Sequence, residues 1–220
     1  MITTSLSFKY ELEKKAPRSN DGGTTRGASV IDFPASIGIA GVSMRLQPGS
    51  MRDESDIQLT SFHRYPLHAQ QPRVVPGGGL QRLVTSKEFP ISSTMSGSII
   101  ELQPGALREM HWHPNADEWQ YYISGQAEMS VFLAESTVVT EQFNAGDVGY
   151  VPMGAGHYIK NTGNTVCKIL IGFNSGTYQS IDLSEWLAGN PKDVVVTNFG
   201  LSDGEIEKFP TEKVFIQPQK

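Results

Sequence analysis

The sequence predicts an all-β fold: many short strands closing a barrel or sandwich, with short helices confined to the C-terminal end. Three observations carry that expectation. Glycine and proline are frequent, 22 and 13 of 220 residues, so turns interrupt the chain too often for long helices. Hydrophobic residues make up 38% and charged residues 19%, enough for a packed core and too apolar for wholesale disorder. From residue 80 onward, apolar runs of strand length alternate with tight-turn residues.

The elements follow in order. "SGSIIEL" (96–102) reads as a strand closed by a turn at Pro104 and Gly105. "ALREMHWH" and "EWQYYIS" read as a strand pair around the loop 114–117, and "GQAEMSVFLA" follows a glycine turn. "DVGYVP", "HYIKN" and "VCKILIGF" continue the series. Helices are expected only late: "SEWLAG" after Asp182, and "SDGEIEKF", where Ser202 and Glu205 fit a capping box.

The first half hides a repeat. Residues 32–53, "DFPASIGIAGVSMRLQPGSMRD", align without gaps to residues 88–109, "EFPISSTMSGSIIELQPGALRE", with 9 of 22 positions identical. A constant offset through Phe33/Phe89, Gly41/Gly97 and Leu46/Leu102 marks a duplicated unit. The copies then part: after Arg108 the second enters "EMHWH", whereas after Arg52 the first enters "DESDIQLTSFH". The chain is therefore expected to divide into an N-terminal extension, residues 1–75, and a larger domain, residues 76–220. A polar leader (11–29) is expected to be partly disordered, and "PLHAQQPRVVPGGG" to be a linker or extended connection. The strand-like Ile37 to Leu46 is expected to add to a barrel edge, its own or a second chain's, giving at least a dimer.

Two of the five histidines share "HWHPNADEWQYYISG" (111–125). Side chains two apart on a strand project to one face, so His111 and His113 point together. Glu118 opens the next strand past a short loop and can turn to the same space. His157 follows a turn punctuated by Gly154 and Gly156. An H-x-H pair alone is a weak signal, and a lone His157 reads best as a polar residue at a barrel mouth. Together, three neutral imidazoles and one carboxylate suit a divalent metal, with adjacent positions left open for substrate and dioxygen.

Two gapped motifs make the sequence recognisable. Gly105, His111-x-His113, Glu118 and Gly125 resemble the first cupin motif in spacing. Gly146, Pro152-x-Gly154, His157 and Asn161 resemble the second without a mismatch. The resemblance implies a cupin, a jelly-roll β-barrel holding a metal in its mouth. The closer likeness is to the double-cupin oxalate decarboxylases: residues 80 to about 200 resemble a complete second cupin, and residues 20–53 the opening of a first. It implies manganese, with iron, zinc, nickel or cobalt as alternatives, and dioxygen as co-catalyst. The implied ligands are His111, His113, Glu118 and His157. The implied substrate is oxalate or a related small dicarboxylate, converted to formate and carbon dioxide.

The resemblance also assigns Arg108 as the catalytic, substrate-binding cation. Strict strand alternation turns Arg108 away from His111 and His113, so the role requires a bulge or sharp twist there. A proton donor is missing from the pattern. The stretch matching the family's lid, "FNSGTYQSIDLSEWLAG", has no acid before Asp182, and a second-cupin glutamate position holds Lys160. Weak decarboxylation is therefore expected. A germin-like oxidase releasing hydrogen peroxide and a non-catalytic metal- or carboxylate-binding cupin are the alternatives.

Other partners are excluded by composition. A net charge of −5 with no basic run argues against nucleic acid. No window reaches the roughly 20 apolar residues of a membrane span. The start "MITTSLSFKYELEKK" has no signal-peptide core, and the single Cys167 cannot form an internal disulfide. A cytoplasmic homo-oligomer is the expectation.

Overall fold

A computed structural model describes residues 7–50 and 63–219. The fold is all-β with a few short helices at the C-terminal end, as the turn density requires. Among the described residues, no helix is long and apolar enough to cross a membrane.

The N-terminal copy is ordered from the leader onward. β1 (Lys9–Tyr10) and a 3-10 turn at Leu12–Lys14 precede a small antiparallel sheet of β2 (Arg18–Asn20), β3 (Gly23–Ala28) and β4 (Gly41–Leu46). The second copy repeats it with β5 (Arg73–Val75), β6 (Gly79–Val84) and β7 (Ser96–Leu102). The register is the same in both: Gly23 faces Leu46 as Gly79 faces Leu102, and Ala28 faces Gly41 as Val84 faces Gly97. Gly23 and Gly79 both sit at φ +147, and a Cβ there would lie 2.1 Å from the Arg45 carbonyl oxygen or 2.0 Å from that of Glu101. Only glycine fits. Both loops close alike as well. Asp32 accepts from the amide and hydroxyl of Ser29, and Glu88 does the same for Thr85. The duplication thus extends well upstream of the aligned stretch.

The barrel follows. Its remaining strands are β8 (Leu107–Trp112), β9 (Glu118–Ser124), β10 (Gln126–Phe132), β11 (Val138–Asn144), β12 (Val148–Val151), β13 (Gly156–Asn161), β14 (Cys167–Phe173), β15 (Ile181–Asp182) and β16 (Ile216–Gln217). One sheet runs β1-β12-β9-β14-β7-β6-β5, and the other β11-β10-β13-β8-β15, with β16 also on β8. Every pairing is antiparallel. Between the sheets, Ile100, Leu102, Tyr122, Met129, Phe143, Ile159, Ile169 and Phe173 are almost wholly buried. Tyr122 stacks on Phe143 at 4.5 Å between ring centroids.

Three helices close the chain: α1 (Leu183–Ala188), α2 (Lys192–Phe199) and α3 (Asp203–Ile206). At the start of α3 the Glu205 carboxylate accepts from the amide and hydroxyl of Ser202, at 2.8 and 2.7 Å. α2 escaped the sequence reading because "KDVVVTNF" is rich in β-branched valine, which favours strands. Pro191 before it and Gly200 in the left-handed region after it set its limits.

Four expectations need correction. Strands β8 and β9 are consecutive but do not pair: the loop 114–117 carries the chain from one sheet to the other, as a jelly roll demands. Within this chain the strand at the barrel edge is β1, on β12, and β4, inside Ile37 to Leu46, pairs with β3 instead of its own barrel. The leader 11–29 is a folded hairpin whose Leu12 and Ala28 are buried. The stretch 66–79 contains a 3-10 turn and β5 besides connecting segments. Arg52 and most of the "DESDIQLTSFH" segment lie outside the described residues.

Candidate metal centre

A one-residue irregularity in β8 aims the site. His111 pairs with His157 and Arg108 with Ile159, so three steps on β8 match two on β13. The extra residue is a β-bulge, and it reverses the alternation. Arg108 and His111 consequently share the inward face, and Arg108 is 2% exposed. The condition that strand periodicity imposed on Arg108 is met by this insertion.

The structure brings His111, His113, Glu118 and His157 together, one potential ligand atom from each lying within 4.8 Å of the others. All four are buried. β8 and its immediate extension supply the two upstream histidines, β9 the glutamate and β13 the last histidine. The three imidazoles are oriented in one manner. Each directs Nδ1 at a backbone carbonyl oxygen: His111 at Glu109 (2.7 Å), His113 at Gln179 (2.7 Å) and His157 at Ala155 (3.1 Å). Nδ1–H donates in each, so every Nε2 of a neutral ring is left as a lone pair facing the centre.

Glu118 faces the same point. Its Oε1 accepts from Gln120 Nε2 at 2.7 Å, and Tyr122 Oη donates to Gln120 Oε1 at 2.8 Å. That buried ladder turns Oε2 toward the histidines, 2.8 Å from His113 Nε2 and 3.3 Å from His157 Nε2. Despite the short distance, His113 Nε2 is buried without an aligned hydrogen bond. Neutral imidazole lone pairs beside a carboxylate oxygen repel one another. The donor set fits a divalent cation, which satisfies all of them at once.

Electrostatics favour the neutral form of His111 and the anionic form of Glu118. Burial, followed by the Arg108 charge and the other two rings, pushes His111 well below the ordinary imidazole range. Burial pushes Glu118 up; positive charge on His157 and His113, in the state where those rings are protonated and donate to it, outweighs burial and keeps the carboxyl well below its ordinary range.

The surroundings of Arg108 are fully built. Its Nη2 lies 2.6 Å from Asp182 Oδ1 and 3.1 Å from Ser180 Oγ, and its Nη1 donates to the Phe215 carbonyl oxygen at 3.1 Å. The Phe215 ring stacks under it, 4.4 Å from Cζ to centroid. The two acids nearest to it, Asp182 and Glu109, are both engaged. Asp182 is shared by Arg108 and Lys213, and Glu109 accepts from Ser184 Oγ (2.9 Å), Ser184 N (3.1 Å) and Phe215 N. Lys160 is exposed on the outer face of β13, opposite in direction to His157. Over the mouth, the loop after β14 carries Tyr178, whose ring lies 5.3 Å from that of His113, and Phe173 lies 4.9 Å from it.

Sequence reading missed Gln120, Tyr122, Glu109 and Gln179. A signal for the first two existed: Glu118, Gln120 and Tyr122 recur at the strand period, placing three polar groups on a face that is otherwise core.

The family model described as Cupin matches residues 65–207. The chain belongs to the cupin family. This cupin is 36% identical over 170 residues to oxalate decarboxylase OxdC of Bacillus subtilis, covering 76% of this chain and 44% of that one. It is 37% identical over 162 residues to a probable oxalate decarboxylase of Arthroderma benhamiae (72% and 40%). A germin-like protein 5-1 of Oryza sativa is 30% identical over 140 residues (61% of each). The cupin thus spans less than half the length of the oxalate decarboxylases it matches. Its fold superimposes on a solved oxalate decarboxylase of Bacillus subtilis with a TM-score of 0.86, at 23% identity, over 99% of this chain and 89% of that chain.

Proposed function

We propose that this cupin binds one divalent ion per chain through His111, His113, Glu118 and His157, and acts on oxalate or a related small dicarboxylate. The observation that carries the reading is the convergence of three Nε2 lone pairs and one carboxylate oxygen in a buried mouth, each fixed from behind. Manganese is the first choice, supported by the Mn(II) centres of the Bacillus subtilis oxalate decarboxylase; iron, zinc, nickel and cobalt compete by affinity. Such an ion, when bound, supplies a Lewis acid for a chelating carboxylate and a seat for dioxygen.

The chain's own residues do the rest. Arg108 reaches the ligand face through the bulge, and its guanidinium carries more N–H groups than its three protein acceptors use, so it can also take a substrate carboxylate. Phe173 and Tyr178 pack against the His113 ring and shield it on that side. For decarboxylation, formate needs a proton on carbon, and the carboxyl oxygens of Glu109 and Asp182 are already taken up by Ser184, Phe215, Arg108 and Lys213. Formate production is therefore slow. The same observation favours a second reading, a germin-like oxidase that needs no carbon-directed acid and releases hydrogen peroxide. The division into a 1–75 extension and a 76–220 metal domain, a cytoplasmic location and a homo-oligomeric state belong to the same reading.

Elemental analysis of the purified chain followed by an oxalate assay of both products tests it. One ion per chain with slow formate is the expected result, and His111→Ala removes the ion. Full metal content in His111→Ala overturns the ligand set. Peroxide in place of formate selects the oxidase, and metal without turnover a binding protein.

A further inference from the structure

The last strand of the chain builds the wall against which Arg108 rests. Residues 208–219 lie beyond the stretch matched by the cupin model, 65–207. Within them β16 pairs with β8, Ile216 standing opposite Arg108. Phe215, one residue earlier, grips the Arg108–Glu109 step with both backbone and ring. Its carbonyl oxygen accepts from Arg108 Nη1 and from the Glu109 amide, each at 3.1 Å. Its own amide donates to Glu109 Oε1. Its ring lies under the Arg108 guanidinium, 4.4 Å from Cζ to centroid.

Phe215 also sits at φ 68, in the left-handed region. A bulky side chain adopts that conformation at a cost and keeps it only where its surroundings over-determine it. Here they close on the ring from both sides. Arg73 of β5 lies 4.0 Å from the same ring centroid. Two guanidinium carbons that near one centroid cannot share a face, so the ring is held between Arg73 and Arg108. Phe215 is buried, and desolvation strengthens the attraction of a cation to an aromatic face. Flanking bonds fix the segment in turn. The Val214 amide donates to Ser184 Oγ at 2.9 Å, and Lys213 Nζ meets Asp182, the carboxylate that also takes Arg108 Nη2.

We infer that Phe215 is the positioning residue for Arg108, its ring setting the plane of the guanidinium and its carbonyl oxygen the rotation within that plane. The inference rests on the reading that Arg108 takes a substrate carboxylate, and adds what makes that grip specific. A fork of N–H groups captures both oxygens of a planar carboxylate only when the two planes match. A guanidinium free to swing loses the match and keeps only its charge. The segment 213–217 therefore belongs to the substrate site through Arg108, without touching the substrate itself.

Calorimetric titration of oxalate into the manganese-loaded full chain tests it, without dioxygen and with metal content measured before and after. Arg108→Lys keeps the charge but loses the fork, and weakens oxalate binding by roughly tenfold or more. Phe215→Leu keeps an apolar side chain and the backbone acceptor but removes the aromatic face, and weakens oxalate roughly tenfold at unchanged metal content. Phe215→Tyr returns the face and restores the parent affinity, its hydroxyl having room in the cavity of about 260 Å³ beside the ring. Parent affinity in Phe215→Leu overturns the inference and leaves the reading of Arg108 standing. So does a Phe215→Tyr chain as weak as Phe215→Leu. Loss of metal in Phe215→Leu also overturns it, because the residue would then support the barrel as a whole. Parent affinity in Arg108→Lys, or no oxalate binding by the parent, removes the reading of Arg108 and the inference with it.

Discussion

The two copies of the duplicated unit share backbone and differ in fate. β2-β3-β4 and β5-β6-β7 agree in register, in the φ of Gly23 and Gly79, and in the carboxylate that caps the following loop. Local sequence is sufficient to build that unit twice. Burial is not local. Leu102 is wholly buried because β8–β14 wrap it, while Leu46 at the same position is half exposed among the described residues. The same three strands are thus a barrel wall in one place and an open half-shell in the other.

The largest expected effect separates the twins directly. Leu102→Ala empties a packed position and should cost about 2–5 kcal/mol in chemical denaturation, whereas Leu46→Ala should shift the barrel's transition by less than about 0.5 kcal/mol. Equal losses would mean that the half-shell is as tightly packed as the barrel. The next effect concerns what the second copy gained by continuing. Gln120→Leu keeps volume but releases the Glu118 carboxylate, and should weaken metal binding roughly 10–100-fold in a competition titration, without altering stoichiometry at saturation. Unchanged affinity would remove Gln120 from the site's support.

A third effect, one that grows with pH, reads out β14, which has no counterpart among the described residues of the first copy. Burial raises the Cys167 thiol to about 12. An unfolded thiol ionises near 8.5, so between these values the unfolded state holds fewer protons and stability falls as pH rises. The slope attributable to this thiol approaches about 1.4 kcal/mol per pH unit once the unfolded thiol is ionised. The difference between the parent and Cys167→Val should follow that slope in denaturation curves above about pH 9. Parallel curves would show that Cys167 is solvated and β14 loosely held.

Much of the site was legible because its chemistry is written at strand spacing. His111 and His113 two apart, Glu118 at a strand start and His157 after a glycine turn need no more than periodicity to be suspected. Arg108 was not legible in that way. Its direction depends on the bulge opposite Tyr158, and an inserted residue leaves the side-chain pattern of "LREMHW" ambiguous until its partner strand is known. Gln179 and Glu109 were invisible for a related reason: one acts through its carbonyl oxygen, and the other is held by Ser184 and Phe215, far away in sequence. α2 was missed because valine's strand preference was overridden by the caps at Pro191 and Gly200.

By itself, the sequence determined the all-β class, the duplicated unit, the family motifs and the residues of the metal-site hypothesis. Each of these is fixed by local spacing, because strand alternation and glycine turns act over a few residues. Tertiary structure alone decided that β8 and β9 part to different sheets, that β1 rather than β4 takes the barrel edge, and that Arg108 turns inward beside His111. Those outcomes depend on which strand lies alongside, and hydrogen-bond partners and buried faces are chosen between segments distant in the chain.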